Sequence, residues 1–297
     1  MTPTMRPLRR RESILLWISG TSLAAIVASC ALNAGGIVYV VEDSGAPDAT
    51  SVDGAANDGA LTGPDGSAPD DSGTSNGCAS DQVAVDAGFC IDRTEVTNEK
   101  YAAFLEATNG DSGKDFAACS TEQLLPIASG YELVTLPSHP VRGVDWCAAR
   151  AYCNWAGRRL CGAIADGGGA IATTDIGDAA VSEWQFACSA NGSVTYPYGN
   201  SYDGGICNDM DLKEGGTLPV GSLAGCKGGE VGLLDMVGNV WEWENNCVDA
   251  VTPAAVCTLR GGSFNATPAQ TMCGTGLAMT RDGLSGDFGI RCCSDRH

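Results

Sequence analysis

Residues 232–246 read GLLDMVGNVWEWENN and residues 259–264 read LRGGSF. Both lie in a region, residues 78–297, where glycine is abundant and long periodic helices are scarce. Most of that region reads as short strands and ordered loops, as in GFCID (88–92), VGSL (220–223) and LRGGSF itself. Three helices are nevertheless predicted. In the first, Thr97 caps, Tyr101, Phe104 and Leu105 share a face, and Gly110 stops it. The second runs from an Asp145 cap, with Ala149, Tyr152, Cys153 and Ala156 on one buried stripe, to Gly157. The third opens on Ser182 and Gln185 as a capping box and closes near Gly192. About 220 residues suffice for one sizeable core and not for two. A loop-rich α+β domain of that size is marginal without cross-links.

The cross-links are at hand, because the chain carries 15 cysteines in 297 residues. The first, Cys30, belongs to a different feature. Arg6, Arg9, Arg10 and Arg11 precede an apolar run from Ile14 to Val27, and Ala28 and Ser29 stand before the cysteine. This is the layout of a secretory signal, too short for a membrane span. The tetrad Val27, Ala28, Ser29, Cys30 matches a lipobox, so residues 1–29 are expected to be removed and Cys30 acylated. The other fourteen cysteines then face an oxidising compartment, where up to seven disulfides are the default. Short loops suggest Cys78 with Cys90, Cys207 with Cys226 and Cys247 with Cys257. Zinc is a poor alternative: no paired CxxC motif occurs, and the chain has 2 histidines.

Between anchor and domain, residues 30–77 form a tether. Their main part, 42–77, is built from Gly, Ala, Ser, Asp, Thr and Pro, with eight acids and no base. Such a segment cannot bury enough apolar surface to offset its chain entropy. It spans a few tens of ångströms, at about 5–6 Å times the square root of residue number. Its Asp-Gly pairs are too irregular for calcium repeats. The formal net charge of the whole chain is −19, and loss of the four N-terminal arginines with Glu12 takes it to about −22. Nucleic acid is thereby excluded as a partner.

The order of local sequences carries a resemblance. FCIDRTEVTNEKYAAFL (89–105), HPVRGVDWCAARAYCNWAGRRL (139–160), SEWQFACS (182–189) with YPYGN (196–200), GLLDMVGNVWEWENN, and LRGGSF with GDFGIRC (286–292) resemble, in family order, the segments of the formylglycine-generating-enzyme (sulfatase-modifying factor) family. The resemblance implies an α+β, loop-rich fold, a distant C-type-lectin-like variant, here disulfide-stapled. It also implies the bridges Cys153–Cys292 and Cys188–Cys273, leaving Cys119, Cys147, Cys161 and Cys293 unassigned.

The activity implied by that family is copper-dependent oxidation, by oxygen, of a sulfatase cysteine to formylglycine. It needs two thiolates, because soft sulfur holds Cu(I). In active members these follow the serine of RGGS by three and eight residues; here the positions are Ala266 and Thr271, so copper is not expected. An iron site of two histidines and a carboxylate would require both His139 and His297, a turn residue and the last residue. Calcium is the metal the resemblance favours, through the carboxylates of Asp235 and Glu242 and the carbonyls of Gly238 and Val240, a donor set that suits a hard cation. A second calcium site of the family would use Asn208 and Asp209, but the segment near Gly225 and Cys226 departs from the pattern.

Trp146, Trp155, Trp184, Trp241 and Trp243 are expected to build core, and Arg260 and Arg291 to donate to loop carbonyls. The candidate cleft is marked by Ser263, Trp241 and Arg291. The sequence thus describes a lipoprotein of the bacterial cell envelope, at the outer membrane or cell surface. Its membrane contact is through the lipid only, and its domain is a catalytically degenerate module for a peptide, glycan or envelope protein. An oxidoreductase modifying a protein or peptide side chain through a rearranged site is the alternative.

Overall fold

The computed structural model describes residues 77–110, 119, 124–127, 129–247, 252 and 254–297. They lie in the second of two compact units, Thr62–His297. Cys30, the signal segment and the tether up to residue 76 fall outside the described residues.

Two small sheets organise the domain. The first has the order β1-β2-β8-β3, from Gln82–Ala84, Phe89–Asp92, Cys292–Asp295 and Arg159–Leu160, all antiparallel. The second has the order β6-β5-β4-β7, from Gly276–Thr280, Val256–Arg260, Trp241–Trp243 and Phe288–Gly289. In it β4 runs antiparallel to β5, with Glu242 opposite Arg260, and parallel to β7, with Trp241 opposite Phe288. The chain therefore brings 241–243 and 288–289 side by side, and the last strand, β8, returns to the first sheet.

Helix α1 (Asn98–Thr108) starts where the Thr97 hydroxyl accepts the Lys100 amide and ends at Asn109 and Gly110, both left-handed. Helix α3 (Trp146–Trp155) starts where Asp145 accepts the Ala148 amide at 2.7 Å and ends before Gly157, at φ +70°. Tyr101 and Phe104 of α1 meet Tyr152 of α3, stacked on Tyr101 and edge-on to Phe104. This aromatic contact joins Trp146, Trp243 and Phe288 in one core cluster. A second cluster gathers Phe89, Ile91, Trp184, Leu233 and Met236 with buried cysteines.

Helix α4 (Glu183–Ser189) differs from expectation at its cap. The Ser182 hydroxyl accepts the Gln185 amide at 3.0 Å, but the reciprocal half of a capping box is missing. The Ser182 amide donates to the Asp178 carbonyl, and the Gln185 side chain instead accepts from Arg260 at 2.6 Å. VGSL (220–223) is a turn rather than a strand, with Gly221 at φ +70°. Helix α2 (Ser129–Thr135) was not expected.

The fourteen cysteines of residues 78–297 form seven disulfides: Cys78–Cys90, Cys119–Cys147, Cys153–Cys292, Cys161–Cys293, Cys188–Cys273, Cys207–Cys226 and Cys247–Cys257. Adjacent residues Cys292 and Cys293 thus bind β8 to α3 on one side and to the segment after β3 on the other. Among the described residues no helix is long and apolar enough to cross a membrane.

Candidate functional site

The approach to β4 is a tight turn. Asp235 (φ 52°), Gly238 (φ +79°) and Asn239 (φ 61°) all have left-handed backbones. At Gly238 a Cβ would stand 2.5 Å from the Asn208 carbonyl oxygen, so only glycine fits. The Gly238 amide donates to the Gly261 carbonyl and the Asn239 amide to that of Asn208. The turn is thereby fixed against both the RGGS segment and the 208 loop before β4 begins.

Glu242, the middle residue of β4, is 1% exposed. Its Oε2 accepts the Trp184 indole N–H at 2.6 Å, and both oxygens accept from Arg291 Nε, at 2.9 and 3.0 Å. Arg291 donates onward to the carbonyls of Asp92, Leu234 and Asp235 at 2.8, 3.0 and 3.0 Å. One guanidinium therefore ties the opening segment, the turn and β4 together. Asp235, on the same turn, accepts the Gly221 amide at 2.5 Å.

Sequence reasoning missed Glu95. It is 1% exposed, and neither carboxylate oxygen has a hydrogen-bond partner. Burial, and next the charge of Asp235, push its carboxyl well above the usual range. Burial also raises Glu242, and pushes Asp235 up to about 6. Three buried carboxylates thus share the field of one guanidinium, an arrangement that favours either protons or a cation. Among the described residues no three His, Cys, Asp or Glu side chains are gathered tightly enough to hold a metal by themselves. A cation here would draw also on the carbonyls of Gly238 and Val240. The orphaned Glu95 carboxylate fits that requirement, because a buried acceptor without a donor is costly unless something positive meets it.

Asn208 is 3% exposed, and its amide donates to the Gly216 carbonyl and Asn239 Oδ1. Its own Oδ1 lacks a partner. Asp209 accepts the Tyr202 hydroxyl and the Asp211 amide. His139 Nδ1 lies 3.0 Å from the Thr217 hydroxyl, as a loop residue.

A separate cleft of about 440 Å³ opens beside the RGGS turn. Trp241, Ser263, Ala266, Met279, Asp287 and Phe288 are among the residues lining it. Arg291, taken with Ser263 and Trp241 as a cleft residue, is not one of them: it is fully buried on Glu242. Ala266 and Thr271 are 2% and 1% exposed. Both side chains crowd the same face of Gly262, whose Cβ would come within 2.8 Å of Ala266 Cβ and 3.1 Å of Thr271 Cγ2. The Thr271 hydroxyl donates to the Pro268 carbonyl, and Cys273 is bonded to Cys188. Arg260 donates to the Ile176 and Cys273 carbonyls and lies over the Trp184 ring. Of the five tryptophans of residues 78–297, Trp241 alone lines this cleft; Trp146, Trp184 and Trp243 are core residues with indole N–H groups on Glu244, Glu242 and Val144.

Comparison with known proteins gives these features a setting. The sequence model of the Sulfatase-modifying factor enzyme 1-like domain matches residues 54–296. A formylglycine-generating enzyme of Streptomyces coelicolor is 26% identical over 265 residues, covering 70% of this chain and 78% of that protein. The serine/threonine-protein kinase Pkn1 of Chlamydia trachomatis is 26% identical over 70% of this chain, which spans 33% of the kinase's length. The inactive Cα-formylglycine-generating enzyme 2 of Bos taurus is 32% identical over 52% of this chain and 50% of its own. Among solved structures, PvdO from Pseudomonas aeruginosa aligns with 70% of this chain and 80% of its own, at 20% identity and a TM-score of 0.48.

Proposed function

Because the chain belongs to the sulfatase-modifying factor enzyme 1-like domain family, we propose that it uses that fold as an exported, lipid-anchored binding module for a peptide, glycan or envelope protein, and not to oxidise cysteine. One observation carries this reading. Ala266 and Thr271 stand three and eight residues after the serine of RGGS, where the family resemblance would put the thiolates, while all fourteen cysteines of residues 78–297 are tied in disulfides. Met272 and Met279 supply only thioethers, and two thioethers without a thiolate are a poor seat for Cu(I). The relative from cattle that bears the word inactive in its name is compatible with such a module.

Copper binding tests the reading without needing a substrate. Non-reduced protein titrated with Cu(I) against a chromophoric chelator is expected to leave the chelator's copper in place. Retention of one equivalent by the protein would refute the degenerate site.

The buried carboxylates support a structural calcium ion as part of the proposal. Asp235 and Glu242 would supply charge and the carbonyls of Gly238 and Val240 neutral oxygens, a mixed oxygen set of the kind calcium takes, while Glu95 would add its negative field. The ion would offset the negative charge that one guanidinium leaves uncompensated.

Export and anchoring rest on Arg6 to Cys30. Two or three acyl chains at Cys30 hold a protein stably, since each buried methylene contributes about 0.8 kcal/mol. A tagged fatty acid fed to expressing cells is expected to label the wild type and not Cys30→Ser. Labelling that survives the substitution would remove the lipoprotein reading.

A further inference from the structure

We propose that the cleft beside the RGGS turn receives a primary ammonium group carried on an unbranched aliphatic stem, as on a lysine side chain. This inference rests on the binding-module reading and names its ligand class. Asp287 is the only ionisable side chain among the residues lining the cleft. Its backbone carbonyl accepts the Trp241 amide at 2.8 Å, so the strand pairing of β4 and β7 fixes its position. Asp287 Oδ2 accepts the Ser263 hydroxyl at 2.7 Å and Oδ1 the Ser285 hydroxyl at 2.5 Å. Arg142 reaches the neighbouring Gly286 carbonyl, but its Nε is committed to Glu132 at 2.9 Å. Asp287 therefore faces the cleft without a cationic partner among the lining residues.

The hydrogen-bond inventory chooses between cations. With one lone pair on each carboxylate oxygen taken by a serine, a planar guanidinium would have to compete with those hydroxyls for a bidentate fit. An ammonium is a compact charge with three rotatable donors. It can use one remaining carboxylate lone pair together with the free lone pairs of the Ser263 and Ser285 oxygens. Ser263 Oγ accepts one other contact, from the Asn265 amide at 3.3 Å, and so keeps a lone pair. The stem has its own surface: Leu277 and Met279 of β6, Leu284 (49% exposed), Trp241, Ala266 and Phe288 form the apolar part of the lining. The surplus of acids in the chain, 36 against 17 bases, raises the local concentration of any cation. It does not discriminate among cations, whereas the paired serines do.

The probes are N-acetyl-lysine methylamide and its norleucine and arginine counterparts, each titrated into the isotopically labelled full domain at fixed salt. Amide shifts of Ser263, Ser285 and Asp287 are followed by NMR. The lysine compound is expected to bind at least tenfold more tightly than norleucine and at least threefold more tightly than arginine. Asp287→Asn should lose at least tenfold for lysine and nothing for norleucine. Because that variant also disturbs two serine hydrogen bonds, Leu284→Ser provides a second reading: lysine affinity falls about threefold while the melting temperature stays unchanged. Equal affinity for lysine and norleucine, or lysine binding undiminished in Asp287→Asn, overturns the ammonium receptor and leaves a binding cleft of other specificity. No shift from any of the three compounds overturns the receptor and the binding role of the cleft together.

Discussion

Removing both disulfides that end on β8 is expected to destabilise the domain by about 7 kcal/mol, whereas removing either one costs about 2–3 kcal/mol. Cys153–Cys292 and Cys161–Cys293 close loops of 139 and 132 residues that nearly coincide. With one intact, the long loop stays closed in the unfolded chain, and cutting the other releases a ring of only about ten residues. Cutting both releases the long loop as well, worth about 5 kcal/mol by the same chain-entropy relation. A loss of about 7 kcal/mol is comparable to the whole stability of an ordinary domain. Denaturant titration of Cys153→Ala/Cys292→Ala, of Cys161→Ala/Cys293→Ala and of the quadruple variant measures the difference. A quadruple variant no worse than the sum of the two pairs would show that the bridges do not act on one shared loop.

The second large effect is centred on Glu242. Glu242→Leu leaves Arg291 buried without its carboxylate and Trp184 without its acceptor, and breaking a buried ion pair from one side costs about 3–5 kcal/mol. Glu95→Gln is expected to act in the opposite direction in chelator, because it removes a buried carboxylate that has no partner. Calcium should raise the melting temperature of the wild type by mass action, and little of that rise should remain in either variant. A full calcium response in both would refute the site.

The pH dependence follows from the same groups. Burial raises the folded-state carboxyls of Asp235, to about 6, and of Glu95. Their contribution is fully present below the ordinary carboxylate range and is lost as pH rises through the folded values. In chelator the melting temperature should therefore fall as pH rises from about 4 to about 6, the span between the ordinary and folded values of Asp235, and calcium should oppose that fall.

The parts of this fold that could be read in advance are those whose signals are local. Thr97, Asp145 and Ser182 each accept the amide three residues on, so a cap and an apolar stripe were enough to place α1, α3 and α4. Helix α2 offers no such signal: it is seven residues long, carries Gly130 near its start and ends on the β-branched Val134 and Thr135, all of which lower intrinsic propensity. VGSL looked like a strand because of its apolar ends, but Gly221 turns the chain there. Gln185 had the right spacing for a capping box, yet the buried guanidinium of Arg260 offers its side chain a charge-assisted partner. Glu95 was invisible for a related reason. It stands between Thr94 and Val96 with nothing local to mark it, and its buried charge matters only once folding brings it within the field of Asp235 and Glu242. The bridges Cys119–Cys147 and Cys161–Cys293 likewise depend on approach in space, which spacing along the chain does not encode.

The positions of Ala266 and Thr271 lead to the most direct test. Purified, non-reduced protein is given copper, oxygen and a peptide carrying the sulfatase motif Cys-x-Pro-x-Arg, and aldehyde is captured with a hydrazide and confirmed by the mass change at cysteine. With no thiolate among residues 78–297, since Cys273 is held by Cys188, product should stay at the uncatalysed background. Restoring cysteine at positions 266 and 271 alone should not raise it, because both positions are buried, at 2% and 1% exposed, packed against Gly262, and reacting groups misplaced by about 1 Å can lose a hundredfold in rate. Aldehyde formed by the wild-type protein above background would contradict the account and make this chain an oxidoreductase.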